Sequence, residues 1–168
     1  MDKKGSVLNI GLKWGLILGL MMIIIGIIIN MFQMYESNSV VQIISLILLV
    51  SSLWMAISEY KGFNDGFADF GELFGLGMVL LGIAVTLSSI FTYINMTIID
   101  TEIVEIIKDM QIIEMEKQGL SDSQIDQALS YMTPGFMVFI AFLMQAFIGT
   151  LIALVTAAIF KNNRPVEF

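Results

Sequence analysis

The side chains best suited to chemistry lie in one short segment between two apolar runs of the chain. Asp65, Asp69 and Glu72 are spaced so that, in a helix, their carboxylates would share one face. Three such carboxylates can hold Ca²⁺ or Mg²⁺, which prefer oxygen ligands. The same acids equally suit a helix N-terminus, whose dipole favours negative charge. Because the segment lacks the Asp-x-Asp-x-Asp-Gly spacing of a calcium loop, we expect no metal here.

One amide, Gln145, lies deep within an apolar run and needs a partner. Serine and threonine hydroxyls at similar depth can donate to a carbonyl one turn earlier, which a glutamine amide does less easily. Burial of an unpaired amide costs roughly a few kcal/mol. We therefore predict a hydrogen bond from Gln145 to a neighbouring helix, which makes it a helix-packing residue. The alternative is that Gln145 lines a transport pathway.

Composition excludes several classes of function. The 168-residue chain has no cysteine and no histidine, so it has no thiol nucleophile, no imidazole base and none of the common transition-metal ligands. Its net charge of −7 argues against nucleic-acid binding, which needs clustered Lys and Arg. Asp69 and Glu72 have no evident orienting partner for hydrolysis. We expect no catalytic residue, no cofactor and no enzymatic activity.

Four apolar runs are long enough to cross a membrane or nearly so. They cover residues 13–32, 40–57, 70–94 and 135–160. A hydrocarbon core of about 30 Å requires ~20 apolar residues in a helix. Lipid leaves only helices or closed barrels, and barrel strands alternate apolar and polar residues as these runs do not. The predicted fold is all-α: an integral membrane four-helix bundle, one domain over residues 1–168, in contact with the lipid bilayer.

The basic residues predict the orientation of the spans. Six of the eight lie on one side of the membrane if the chain crosses four times: Lys3, Lys4, Lys13, Lys61, Lys161 and Arg164. The other two, Lys108 and Lys117, lie between the third and fourth spans. The positive-inside rule then puts both termini in the cytoplasm. Residues 95–133 are expected to be extracytoplasmic.

The 95–133 segment has the signals of a helical hairpin. Residues 100–119 form the first predicted helix, with Asp100 as the N-cap and Gly119 just after the C-terminus. Ser121 and Gln124 have capping-box spacing at the start of a second helix, residues 122–131. Pro134 is suited to the first position of the fourth span.

The first hairpin helix carries an apolar stripe with helical spacing. Its members are Ile103, Ile106, Ile107, Met110 and Ile113. The stripe can pack within the hairpin or rest at the membrane surface; the alternative is that it binds a partner. The remaining face is acidic, and anionic lipid favours a basic one. We therefore expect a tertiary or quaternary protein contact here.

Glycines four residues apart mark two of the spans. Gly11, Gly15 and Gly19 lie on the first, and Gly71 and Gly75 begin the third. Such stripes let helix backbones approach closely in lipid. We predict that both stripes are packing faces within the bundle; the alternative is a homodimer seam.

Several motifs together resemble a known family. They are Tyr60-Lys61 with Gly62-Phe63, then Phe70-Gly71-Glu72-Leu73-Phe74-Gly75-Leu76-Gly77, Ile99-Asp100-Thr101, the segment from Gly119 to Leu129, and Ala158-Ile159-Phe160-Lys161. Over about residues 13–161 the chain resembles the bacterial four-span proteins catalogued as domain of unknown function 4199, found mainly in Bacteroidota. In that family proline commonly stands where this chain has Thr101. The resemblance implies a bacterial inner membrane and a four-span fold, and it implies no activity.

These observations predict a non-enzymatic inner-membrane protein that acts as a subunit or accessory of a larger membrane assembly. Its expected partners are other membrane subunits or further copies of itself, with no nucleic acid. The alternative is a small transporter or channel, formed by several copies. Proton- and ion-coupled transporters usually carry ionisable groups at mid-membrane, and no predicted span has one near its middle.

Overall fold

The computed structural model describes residues 6–32 and 38–164 and is helical through most of them. In chain order the α-helices are α1 Val7–Phe32, α2 Asn38–Phe63, α3 Phe70–Ile94, α4 Ile103–Lys117, α5 Asp122–Tyr131 and α6 Pro134–Phe160. A π-helix, Asn95–Ile99, follows α3 directly. The predicted all-α fold is confirmed, with no strand in the described ranges. Lys3 and Lys4, which contribute to the predicted orientation, lie outside those ranges.

Four helices of the described chain are long and apolar enough to cross a membrane. They cover Val7–Phe32, Ser39–Phe63, Phe70–Ile99 and Pro134–Phe160. The chain is therefore a multi-pass integral membrane protein whose helices contact lipid. Helix α2 continues six residues beyond the predicted end at residue 57. Hydropathy marks only the part of a helix within hydrocarbon, whereas backbone hydrogen bonding carries the helix into the polar interface.

The chain divides into two compact units. One comprises the described parts of Met1–Ser88 and Met144–Phe168, and the other is Ser89–Leu143. In the first unit α3 supplies the centre of the core, where Leu73, Leu76 and Leu80 are at most 1% exposed. The buried cluster around them also contains Leu18 of α1, Leu53 and Ala56 of α2, and Ala157 of α6. Four helices thus share one core at α3.

The second unit contains the α4–α5 hairpin. The start of α4 differs from the sequence prediction. The predicted N-cap at Asp100 is wrong, because α4 begins at Ile103 and Glu102 is its N-cap residue. Asp100 instead ends the π-helix, where its N–H donates to the carbonyl of Asn95 at 2.8 Å. The helical chain that leaves α3 runs on to Ile99, which the predicted boundary at residue 94 did not anticipate.

The turn between α4 and α5 follows the sequence prediction. Gly119 has a φ of +78°, and its N–H donates to Glu116 O at 2.9 Å. The N–H of Leu120 donates to Met115 O at 3.1 Å, which completes a Schellman motif. The capping box is also confirmed, with the Ser121 N–H donating to the Gln124 side chain at 3.0 Å.

Candidate functional site

The connection between α2 and α3 is tied to the chain that follows α6. The N–H of Ala68 donates to Asn162 O at 2.9 Å, and the N–H of Asn162 donates to Ala68 O at 2.8 Å. The Asn162 amide also donates to Gly66 O at 3.1 Å. Residues 64–69 and 161–164 therefore form one closed element, which we call the tail clasp.

Backbone geometry at two residues makes the clasp possible. Asp65 has a φ of +57° and Gly66 a φ of +83°, so the chain reverses between α2 and α3. The Asp65 carboxylate lies 4.0 Å from the guanidinium of Arg164. That guanidinium also lies 6.0 Å from the centre of the Phe67 ring. Both contacts are at the surface and orient the tail more than they stabilise it.

The clasp borders a polar cleft of about 420 Å³, lined by Tyr60, Asn64, Phe67, Ala68, Asp69, Glu72 and Arg164. The buried Tyr60 hydroxyl is hydrogen-bonded to the Glu72 carboxylate. The Asn64 amide donates to Tyr60 O at 2.7 Å. The cleft is thus polar, and its Glu72 carboxylate already accepts hydrogen bonds from the protein.

The structure separates the three carboxylates that the sequence placed on one helical face. Glu72 accepts a hydrogen bond from the Asp69 N–H at 2.8 Å, so these two residues cap the start of α3. Asp65 belongs to the preceding turn, and the prediction of a shared face is wrong for it because its left-handed backbone breaks the helix. The described residues contain no group of three or more acids placed to hold a metal ion.

A second polar contact joins α1 to α2 within their membrane-spanning lengths. Lys13 Nζ lies 2.7 Å from Glu59 Oε2, and Trp14 Nε1 donates to the same oxygen at 2.8 Å. The Lys13 ammonium also lies 5.3 Å from the centre of the Trp14 ring. The sequence marked Lys13 only as one of the basic residues that orient the spans. Opposite charges near the ends of adjacent spans are the signal that would have revealed the pair.

The glycines of α1 lie against α3 at backbone distance. A Cβ on Gly15 would be 2.7 Å from Leu80 O, and one on Gly11 would be 2.8 Å from the Val79 side chain. A Cβ on Gly19 would be 3.0 Å from Leu87 Cδ1. These three glycines therefore form one continuous face against α3.

The glycines at the start of α3 are placed differently. A Cβ on Gly71 would meet no atom within 4 Å, and one on Gly75 would meet only Val7 Cγ1, at 3.7 Å. Helix α3 instead approaches α6 through Gly77, where a Cβ would be 2.8 Å from Ala153 Cβ. In return, a Cβ on Gly149 of α6 would be 2.7 Å from Leu81 Cδ2.

The apolar stripe of α4 changes in exposure along its length. Ile103 is buried, Ile106, Ile107 and Met110 are half-buried, and Ile113 is exposed. Ile125 of α5 is buried as well. The stripe is thus covered at its N-terminal end and open at its C-terminal end.

Gln145 lies on α6 and has no hydrogen-bond partner in the described part of the chain. Its side chain is exposed, eleven residues after Pro134 begins the 27-residue helix. Within residues 6–32 and 38–164 its amide makes no hydrogen bond. The predicted hydrogen bond to a neighbouring helix is therefore not formed within this part of the chain and stays a prediction for a contact with another molecule.

Comparison with known proteins places nearly the whole chain in one family. The family described as "Protein of unknown function (DUF4199)" matches residues 13–162, a range that includes all four spans in large part, the hairpin and Asn162 of the clasp. No curated protein and no solved structure matches the chain.

Proposed function

We propose a function for this chain, which belongs to the family of proteins of unknown function DUF4199. It is a non-enzymatic subunit of a larger membrane assembly. It contacts its partner through α6. The observation that supports this is the amide of Gln145, which lies on an exposed face of a membrane-spanning helix and has no hydrogen-bond partner among residues 6–32 and 38–164. In the same proposal the membrane is a bacterial inner membrane, and both termini face the cytoplasm.

The depth of Gln145 in the membrane makes it costly for the amide to have no partner among the described residues. At about 1.5 Å per residue, eleven residues place Gln145 roughly 16 Å along a helix about 40 Å long. That position lies inside a hydrocarbon core of about 30 Å, where water does not reach the amide. A hydrogen bond to another membrane helix typically contributes about 0.6 kcal/mol and at most about 1.7 kcal/mol. Lateral contact with a second protein is the direct way to obtain it.

The packing of α6 within its own chain is consistent with such a contact. Its buried residues are all small: Gly149, Ala153 and Ala157. Many of its large side chains are exposed instead, and Phe147, Ile148 and Val155 are each about half exposed or more. Exposed apolar side chains are compatible with lipid alone, so Gln145 is the residue that distinguishes a protein contact.

A non-enzymatic role is supported by the state of the acids nearest the cleft. Glu72 is hydrogen-bonded to Tyr60 and to the Asp69 N–H, and Asp65 is paired with Arg164. Each of these acids holds the α2–α3 connection in place. These carboxylates thus serve to stabilise one end of the bundle, and the chain has no histidine or cysteine that could act there as base or nucleophile.

The proposal is tested by site-specific photo-crosslinking in native membranes. A photoreactive amino acid at Ile148, on the Gln145 side of α6, is expected to give a discrete protein adduct. The same amino acid at Leu154, an exposed position on another side of α6, is the matched control and is expected to give lipid adducts only. Absence of any protein adduct at Ile148, together with a monomer in mild detergent, would contradict the proposal.

A further inference from the structure

We infer that the partner of α6 is α6 of a second copy of this chain, with the two Gln145 amides hydrogen-bonded to each other. The inference rests on the proposed function and specifies the partner of the same surface. It follows from three features of α6: the chemistry of the amide, its depth, and the spacing of the residues around it.

A glutamine amide is its own complement. Its carbonyl oxygen accepts and its NH₂ group donates, so two amides related by a two-fold axis can each donate to the other. Copies inserted with the same topology bring their α6 helices together in parallel, with the axis along the membrane normal. Each residue of α6 then meets its own counterpart at the same depth. Gln145 therefore faces Gln145, and the donor of each amide finds an acceptor.

The surface around Gln145 has the spacing of a left-handed helix pair. Gln145, Ile148, Ile152, Val155 and Ile159 follow at intervals of 3, 4, 3 and 4. This seven-residue repeat produces knobs-into-holes packing between helices that cross at about +20°. We call these five residues the Gln145 seam.

The seam is available for contact and is formed by stiff side chains. Ile148, Val155 and Ile159 are 48%, 54% and 68% exposed. Ile152 is half-buried against the core of its own chain and anchors the seam to the bundle. β-Branched side chains have one strongly preferred rotamer in a helix, so little side-chain freedom is lost when they pack. A single polar residue in such a repeat also fixes which residues stand opposite each other.

The absence of native cysteine allows a direct test by single-cysteine crosslinking. Two differently tagged copies are co-expressed, each with Ile148→Cys or each with Val155→Cys, and the membranes are oxidised. The matched controls are Phe147→Cys and Leu154→Cys, which are exposed but lie outside the seam. Disulfides that join the two tags are expected at 148 and 155 and not at 147 or 154. Equal crosslinking at all four positions would indicate random collision and overturn the inference.

The role of the amide is tested separately in the Val155→Cys protein. Gln145→Leu in both copies is expected to lower the fraction of tag-to-tag disulfide by about five- to tenfold, in line with the loss of the two hydrogen bonds between the amides. Gln145→Asn, which keeps a donor and an acceptor on a shorter side chain, is expected to retain more of it than Gln145→Leu. No change in Gln145→Leu would overturn the inference.

The outcomes distinguish this inference from the proposed function. A photo-adduct at Ile148 with a different protein, and no disulfide between tagged copies, would leave the proposed function standing and overturn self-association. The lack of both products would overturn both.

Discussion

Gly15 of α1 and Leu80 of α3 are in contact through their backbones: a Cβ at residue 15 would lie 2.7 Å from the Leu80 carbonyl oxygen. The same Cβ would lie 2.9 Å from Ile83 Cβ. A small rotation of either helix would therefore not relieve the clash. In lipid, where apolar burial gives helices little preference for one another, such close contact stabilises the bundle through dispersion. The α1–α3 contact is therefore expected to depend on residue 15 being glycine, which has a hydrogen atom in place of a side chain.

Gly15→Ala is expected to destabilise the protein by about 1–3 kcal/mol, because the added methyl group meets backbone atoms that cannot move without shifting a helix. Unfolding of the purified protein in detergent, followed by circular dichroism, measures the change. Gly82→Ala is the control, since a Cβ there would meet no atom within 4 Å. Equal losses of stability in the two variants would show that the close approach is unimportant.

The same contact shows what the sequence could and could not predict. The glycine spacing on α1 was visible, since it belongs to one helix. The part of α3 that receives it, around Leu76, Leu80 and Ala84, is formed by larger residues, and its position depends on how the two helices are placed against each other. A second stripe at Gly71 and Gly75 was therefore a natural expectation, yet a Cβ at Gly71 would meet nothing.

Turns and helix ends were also predictable from the sequence only where they depend on nearby residues. Gly119 and the Ser121–Gln124 capping box were predictable because each depends on residues within one turn. The tail clasp was not, because it pairs groups far apart in the chain: Asn162 donates to Gly66, 96 residues earlier. A hydropathy pattern does not predict a hydrogen bond between residues so far apart in the sequence.

Replacement of Glu59 is expected to loosen α1 from α2. In Glu59→Ala, Lys13 loses its ion pair and the Trp14 N–H loses its acceptor, for a cost of about 1–2 kcal/mol in free energy of unfolding. The exposure of Lys13, 52%, keeps the cost from being larger. Chemical unfolding in detergent measures it.

The control for that ion pair lies in α4. Glu114 pairs with Lys117 at 3.8 Å, and both side chains are more than half exposed. Glu114→Ala is expected to change the free energy of unfolding by less than about 0.5 kcal/mol. Glu59→Gln provides a second comparison, because its amide oxygen can still accept from Trp14. A Glu59→Ala protein as stable as Glu114→Ala would mean that the Lys13–Glu59–Trp14 contact contributes nothing to stability.

Removal of the tail after Phe160 is expected to open the α2–α3 connection while leaving the spans in place. The Ala68 N–H then loses its acceptor on Asn162, so its hydrogen exchange should accelerate. Mass-spectrometric hydrogen exchange on a peptide that covers residues 64–69 detects this. A chain that ends at Arg164 keeps all three clasp hydrogen bonds and serves as the control. Unchanged exchange after removal of residues 161–168 would contradict the role assigned to the clasp.

The orientation of the spans is tested by the same lack of native cysteine that makes crosslinking possible. Gln118, at the end of α4, and Asn163, after α6, are both exposed, so either can carry a single cysteine. If the basic residues orient the chain as proposed, a membrane-impermeant maleimide added to intact bacteria labels Gln118→Cys. Asn163→Cys is labelled only after the cells are lysed. The reverse pattern would place both termini outside, and labelling of both sites in intact cells would mean that α6 does not cross the membrane.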